Sequence, residues 1–263
     1  MFWVYDLPNW LFGVLTIVLF VAFGLIGLAA TRAWVPSLHH ESHSHNDVVG
    51  AYLGAVTVFY GITLGLLMVG VWGTFADAEI KVDSEAATMA ALYTDISHYP
   101  EPLRGQLQDE MRTITRQIVD ISWPQQRAGV MSKASMVEFK LFEQSLLTFE
   151  PVTEGQKILH AQALHQFNQL VERRRSRVLS VKAGLPGSLW SLVLIGAAIN
   201  IALTWLFHVQ KARMHFWLTV LTSSLLGLMI FLLAAMDHPY RGKLSVGPEA
   251  FEMLYERTMK PGN

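Results

Sequence analysis
Four long apolar stretches, Trp10 to Thr31, Val48 to Thr74, Gly187 to Phe207 and Phe216 to Met236, constrain this chain more than any motif in it. Each approaches or exceeds the ~20 apolar residues that cross the hydrocarbon core of a bilayer. No water reaches that core to satisfy backbone N–H and C=O groups, so each stretch is predicted to be a helix that closes its own hydrogen bonds. The chain is therefore predicted to be an all-α polytopic membrane protein with four transmembrane helices. Met1 to Trp10 contains Asp6 and no Lys or Arg, unlike the start of a signal peptide, so the first stretch reads as a retained span.

The 263 residues are 52% hydrophobic and 16% charged, and the apolar excess lies in the four stretches. A formal net charge of -1 provides no concentrated basic face, which argues against nucleic acid and leaves membrane lipids and inorganic ions as partners. Cysteine is absent, so disulfides and thiolate sites are excluded. No nucleophile with its base, Gly-rich phosphate loop or carboxylate pair at metal spacing occurs, so neither an enzyme nor a cofactor is expected.

The pattern places transmembrane helices 1 and 2 in residues 1–74, a soluble helical bundle in 75–186, transmembrane helices 3 and 4 in 187–236, and a turn with a short C-terminal helix in 237–263. After the second span a helical stripe continues through Ala78, Val82, Glu85, Ala86, Met89 and Tyr93 until Pro100 and Pro102. Leu103, Leu107, Met111, Ile114, Ile118 and Ile121 mark an amphipathic helix ended by Trp123 and Pro124. Phe139, Phe142, Leu146 and Phe149 mark a shorter one, and Leu164, Phe167, Val171, Val178 and Val181 a long one. Pro248 is suited to the first position of the last helix, whose face is Phe251, Leu254, Tyr255 and Thr258, packing on the bundle. The basic run Arg173-Arg174-Arg175-Ser176-Arg177 is expected to meet lipid headgroups or Glu79, Asp83 and Glu85. Lys and Arg near the span ends lean toward cytoplasmic termini and bundle.

Candidate functional residues fall in four groups. Gly61 and Gly65, like Gly50 and Gly54, have the four-residue spacing that lets helices approach backbone to backbone, with pore lining as the alternative. Thr57, Tyr60, Asn200 and Thr204 are polar groups within the spans, as interhelical glue or as a polar path. His39, His40, His43 and His45 crowd the first hairpin as candidate metal ligands, a pH sensor or a solvated loop. Asp237, Pro239 and Gly242 shape a turn at the membrane edge, where Asp237 should cap the turn around Tyr240 to Gly242 or meet Arg241 or Lys182.

Several of these segments resemble one family. His45-Asn46-Asp47-Val48, Tyr60, Trp72, Ala78, Glu85-Ala86, Leu92-Tyr93, Trp123 and above all Asp237-His238-Pro239-Tyr240-Arg241-Gly242, with Ser245, Pro248 and Phe251, are similar to the bestrophin-like domain family of bacterial membrane proteins. The family more often carries Arg before the proline and Phe after it, where this chain has His238 and Tyr240. The resemblance implies bestrophin-like topology, a multi-pass protein of the bacterial cytoplasmic (inner) membrane, and a homo-oligomeric anion channel or pore, pentameric by analogy. No pore-constriction or calcium-clasp motif of the bestrophins matches residues here, so none is carried over. The competing readings are a membrane-anchored sensory or partner-binding module without conductance, and a metal-handling protein using the hairpin histidines. A ring with an axial opening separates a channel from an anchor.

Overall fold
The computed structural model describes residues 5, 7–32, 42–130, 136–209 and 211–260, with backbone alone at 42–44. In chain order its α-helices are α1 Asn9–Thr31, α2 Ser42–Ile96, α3 Leu103–Gln117, α4 Trp123–Arg127, α5 Met136–Leu147, α6 Glu154–Ser180, α7 Gly187–Trp205, α8 Ala212–Asp237 and α9 Glu249–Leu254. No strand occurs among the described residues. α1, α2, α7 and α8 are long and apolar enough to cross a membrane. The chain divides into two compact units, one of 1–73, 184–237 and 242–244, the other of 74–183, 238–241 and 245–263. α2 contributes to both.

In the first unit α1 lies along α8, and absent side chains make the approach possible. A Cβ at Gly227 would come within 3.0 Å of the Ile17 Cα, and the Phe12 and Phe231 rings meet edge to face at 5.2 Å. α7 joins them through Trp205, whose indole N–H donates to the Gly24 carbonyl at 2.9 Å while its ring covers Gly27.

The second unit has its own core. The far part of α2 contributes Ala78, Val82, Ala86, Met89, Leu92 and Ile96, three or four residues apart on one face. Against it pack Leu107, Met111 and Ile114 of α3, Phe142 and Leu146 of α5, Phe167 and Leu170 of α6, and Phe251 and Leu254 of α9. α6 starts at a capping box: Thr153 Oγ1 accepts from the Gln156 N–H, and Gln156 Oε1 accepts from the Thr153 N–H.

Two predicted stripes slip where the helix widens. α3 runs into a π-helical turn over Ile118–Ser122, whose extra residue advances the register. Ile121 is consequently 45% exposed, and Ser122 and Trp123 are buried in its place. Pro124 does not end the helix, because it occupies the first turn of α4. A second π turn, Tyr255–Met259, likewise buries Met259 and leaves Thr258 exposed. In α6 the buried face is Ala163, Phe167, Leu170 and Arg177, continued by Val181 just past its end, with Val171 43% exposed, so the stripe is rotated from its predicted position.

That rotation has an electrostatic cause. Arg177 and Glu85 are both fully buried, and the guanidinium grips the carboxylate with two bonds, Nε to Oε2 at 2.5 Å and Nη2 to Oε1 at 3.2 Å. Arg177 Nη1 donates to Gln126 Oε1 at 2.7 Å, and the guanidinium carbon stands 5.0 Å from the Trp123 ring centre and 5.6 Å from that of Phe251. Of the basic run, then, Arg177 turns inward to Glu85. Tyr240 completes the knot, edge-on to Trp123 with ring centres 6.1 Å apart and its hydroxyl 3.1 Å from Ser180 Oγ. Burial pushes the Tyr240 phenol up from its ordinary pKa, and the bond to Ser180 opposes that in part. Truncating either member of the ion pair leaves the other charge buried alone, so Glu85→Ala and Arg177→Ala should each destabilise this unit by about 3–5 kcal/mol. Denaturant unfolding followed by helicity measures this, and the double variant should cost less than the sum of the two.

Candidate functional site
α2 leaves most of its membrane-length part uncovered. Only 11% of its most apolar window is buried, against 39% for the window of α8. Steps of seven and four residues place Gly54, Gly61 and Gly65 on one stripe of this helix. Among the described residues, a Cβ at any of these three, or at Gly70 or Gly73, would meet nothing within 4 Å outside its own helix. Among the described residues, Gly61 and Gly65 therefore pack against no other helix. The close approaches within the unit belong to Gly24, Gly27, Gly196 and Gly227. Beside the bare stripe stand large exposed side chains, Phe59, Ile62, Leu66, Val69 and Trp72.

The polar candidates of α2 adjoin this stripe, with Thr57 one turn from both Gly54 and Gly61. Thr57 Oγ1 donates to Asn200 Oδ1 at 2.8 Å, and Asn200 Nδ2 donates to the Gly196 carbonyl at 2.8 Å. One turn along, the Tyr60 hydroxyl donates to the Val193 carbonyl at 3.0 Å, and its ring fills the space that a side chain at 196 would occupy. Thr204 Oγ1 donates to the Ile201 carbonyl at 2.6 Å. Thr57, Tyr60 and Asn200 are thus brought together as a seam joining α2 to α7, whereas the Thr204 hydroxyl is spent on its own helix. Tyr60, Thr63 and Asn200 also line a cavity of about 250 Å³ between these helices.

Two connections hold the ends of the unit. At the start of α2, Asn46 clamps the backbone of His208: its Nδ2 donates to the His208 carbonyl at 2.8 Å, and its Oδ1 accepts from the His208 N–H at 2.9 Å. His45 Nε2 donates to the Leu206 carbonyl at 2.8 Å. Of the four histidines proposed as ligands, His39 and His40 and the side chain of His43 lie outside the described residues. Among the described residues no three His, Asp, Glu or Cys side chains gather as a metal site would require.

At the end of α8, buried Asp237 accepts from the Leu185 N–H at 2.6 Å and from the Trp190 indole at 3.0 Å. Its carboxylate thereby holds the start of α7, through two donors that the sequence-based expectation did not name. Within the second unit, the Pro239 carbonyl accepts from the Val246 N–H at 2.8 Å, closing the turn. Gly242 holds φ at +78°, a conformation that a side chain would strain.

Asp237→Ala removes the acceptor from two donors in a part-buried position, at about 1–3 kcal/mol for each donor left unsatisfied. The variant should melt earlier and expose the α7 start to protease sooner than wild type, with Asp237→Asn intermediate. Gly27→Ala would set a Cβ 2.0 Å from the Trp205 ring and should destabilise the first unit by about 1–3 kcal/mol. Gly61→Ala, measured on dissociated protomers by thermal melting, should not be destabilising.

A model of the Bestrophin-like domain family matches residues 18–251. Solved structures share the fold at low identity. A single-site variant of a bacterial bestrophin homologue from Klebsiella pneumoniae aligns with a TM-score of 0.70 and 12% identity over 94% of this chain and 97% of that one. A second variant of that homologue gives 0.69 and 13% over 94% and 95%. A structure described as a membrane protein gives 0.69 and 12% over 94% and 97%. No curated protein matches the chain by sequence.

Proposed function
Because the chain belongs to the Bestrophin-like domain family and is a membrane protein, we propose that it is a homo-oligomeric ion channel whose second helix, α2, lines or adjoins the permeation path. The observation that carries this reading is the bare glycine stripe of α2. A membrane helix that stood alone in lipid would gain from bulky apolar side chains, whereas Gly54, Gly61 and Gly65 bring a backbone surface to the outside of the protomer. Such a surface is suited to a copy of the same helix across a symmetry axis, or to a narrow pore. The family analogy extends the proposal to a pentamer that passes anions, in a bacterial inner membrane, with the helical unit on the cytoplasmic side.

In this reading Thr57, Tyr60 and Asn200 hold α2 against α7 and set the angle at which the stripe faces the axis. Their hydrogen bonds are made to one another and to backbone, so they position the wall and do not bind the ion. Selectivity would then rest on the width of the glycine stripe and on the residues flanking it.

Purified protein should run as a closed oligomer in native mass spectrometry and carry chloride-selective flux in liposomes, with a reversal potential that follows the chloride gradient. Gly61→Leu should reduce oligomer and flux together while leaving the helicity of each protomer intact. A protein that stays monomeric or dimeric and conducts nothing is a membrane anchor, and the channel reading then fails.

A further inference from the structure
At the other end of the first unit from Asp237, the turn between α7 and α8 borders a cavity of about 680 Å³, a size that takes a small molecule or a large part of a lipid. Its walls are mainly apolar, with Leu53 of α2, Phe207 of the turn, and Met214 and Leu218 of α8. Its polar groups are all neutral, cationic or titratable to a cation. Lys211, exposed, and His208 stand beside the start of α8, and no carboxylate occurs among the described lining residues. The first turn of α8 adds the positive end of a helix of 26 residues.

A second observation lies one helical turn deeper than His215. Thr219 lines the same cavity, is 1% exposed, and its Oγ1 is buried with no hydrogen-bond partner among the described residues. His215 next to it is already engaged, its Nε2 donating to the Thr204 carbonyl at 2.9 Å. A buried hydroxyl in a membrane helix calls for an acceptor, and the described residues supply none. An apolar slot, a cationic rim and an unmet donor within the slot are together complementary to a molecule that has acyl chains, an anionic head and an ester carbonyl between them.

We propose that this cavity is a binding site for one anionic phospholipid per protomer. Its phosphate meets Lys211 and the α8 N terminus, its acyl chains lie along Leu53, Phe207, Met214 and Leu218, and an ester carbonyl accepts from Thr219 Oγ1. The site rests on the placement of this unit in a membrane and is independent of whether the protein conducts. Bound there, the lipid would brace the α7–α8 turn that Asn46 clamps to the start of α2.

The test uses full-length, delipidated protein in detergent, with thermal unfolding and native mass spectrometry as readouts. Phosphatidylglycerol should raise the melting temperature and remain bound at one molecule per protomer, with phosphatidylcholine and inorganic phosphate much less effective. Lys211→Gln, a change at an exposed position, should weaken phosphatidylglycerol roughly 10-fold, as loss of one charge-assisted contact does, without altering the response to phosphatidylcholine. Thr219→Val keeps the shape and removes the donor. It should lose affinity for the ester lipid and none for the ether-linked analogue, which lacks the carbonyl.

Equal stabilisation by both lipids, or a Lys211→Gln variant that binds phosphatidylglycerol as wild type does, overturns the proposal. Full stabilisation by inorganic phosphate alone makes this an anion site and overturns the lipid assignment. Leu218→Cys supplies the only thiol of the chain. If that thiol is shielded from a lipid-soluble maleimide in the lipid-free oligomer but reacts in dissociated protomers, a second copy fills the cavity and the proposal also falls.

Discussion
The bidentate ion pair between Glu85 and Arg177 is the interaction on which the helical unit depends. Two opposite charges at zero exposure are tolerable only when each completes the other, because moving either out of water alone is costly by several kcal/mol. Their geometry therefore dictates that α2 and α6 meet at one rotation. Gln126 accepts from the third guanidinium nitrogen and so seats α4, and the cation lies over the rings of Trp123 and Phe251, which seats α9. A core of aliphatic side chains could slide by a residue at modest cost. This one cannot slide without breaking a charge-assisted bond.

The membrane unit is organised on a different principle. In hydrocarbon, burying apolar surface gives helices little reason to associate, so fit and hydrogen bonding decide contacts. Gly24, Gly27, Gly196 and Gly227 permit the close approaches, and the Trp205–Gly24 and Tyr60–Val193 bonds fasten them. α2 takes part in this with one side only. Its polar seam meets α7, while the glycine stripe beside that seam stays uncovered among the described residues, an asymmetry that links the packing of a protomer to a proposed role at the centre of an oligomer.

Small backbone irregularities carry much of the remaining specificity. Each π turn inserts one residue into a helix and so exchanges a predicted apolar contact for another side chain: Trp123 comes into the core where Ile121 does not, and Met259 where Thr258 does not. The first of these exchanges is what brings Trp123 to Arg177. Asp237 acts similarly at the end of α8, since one carboxylate accepting two bonds from the start of α7 determines where two long helices begin and end.

The four apolar helices, the all-helical class and most core positions of α2, α3 and α5 were legible in the sequence, because a bilayer thickness and a 3.6-residue period are local constraints that a linear string expresses. Even the pairing of the basic run with the acidic face of α2 could be anticipated from charge and distance along the chain. Which arginine turned inward could not, because the answer depends on a rotation of α6 that only the facing helices impose. Nor could the partners of Asp237 or the roles of the separate glycines be read. Gly27 and Gly61 look alike in a sequence, and only the tertiary structure puts an indole over one and leaves the other bare.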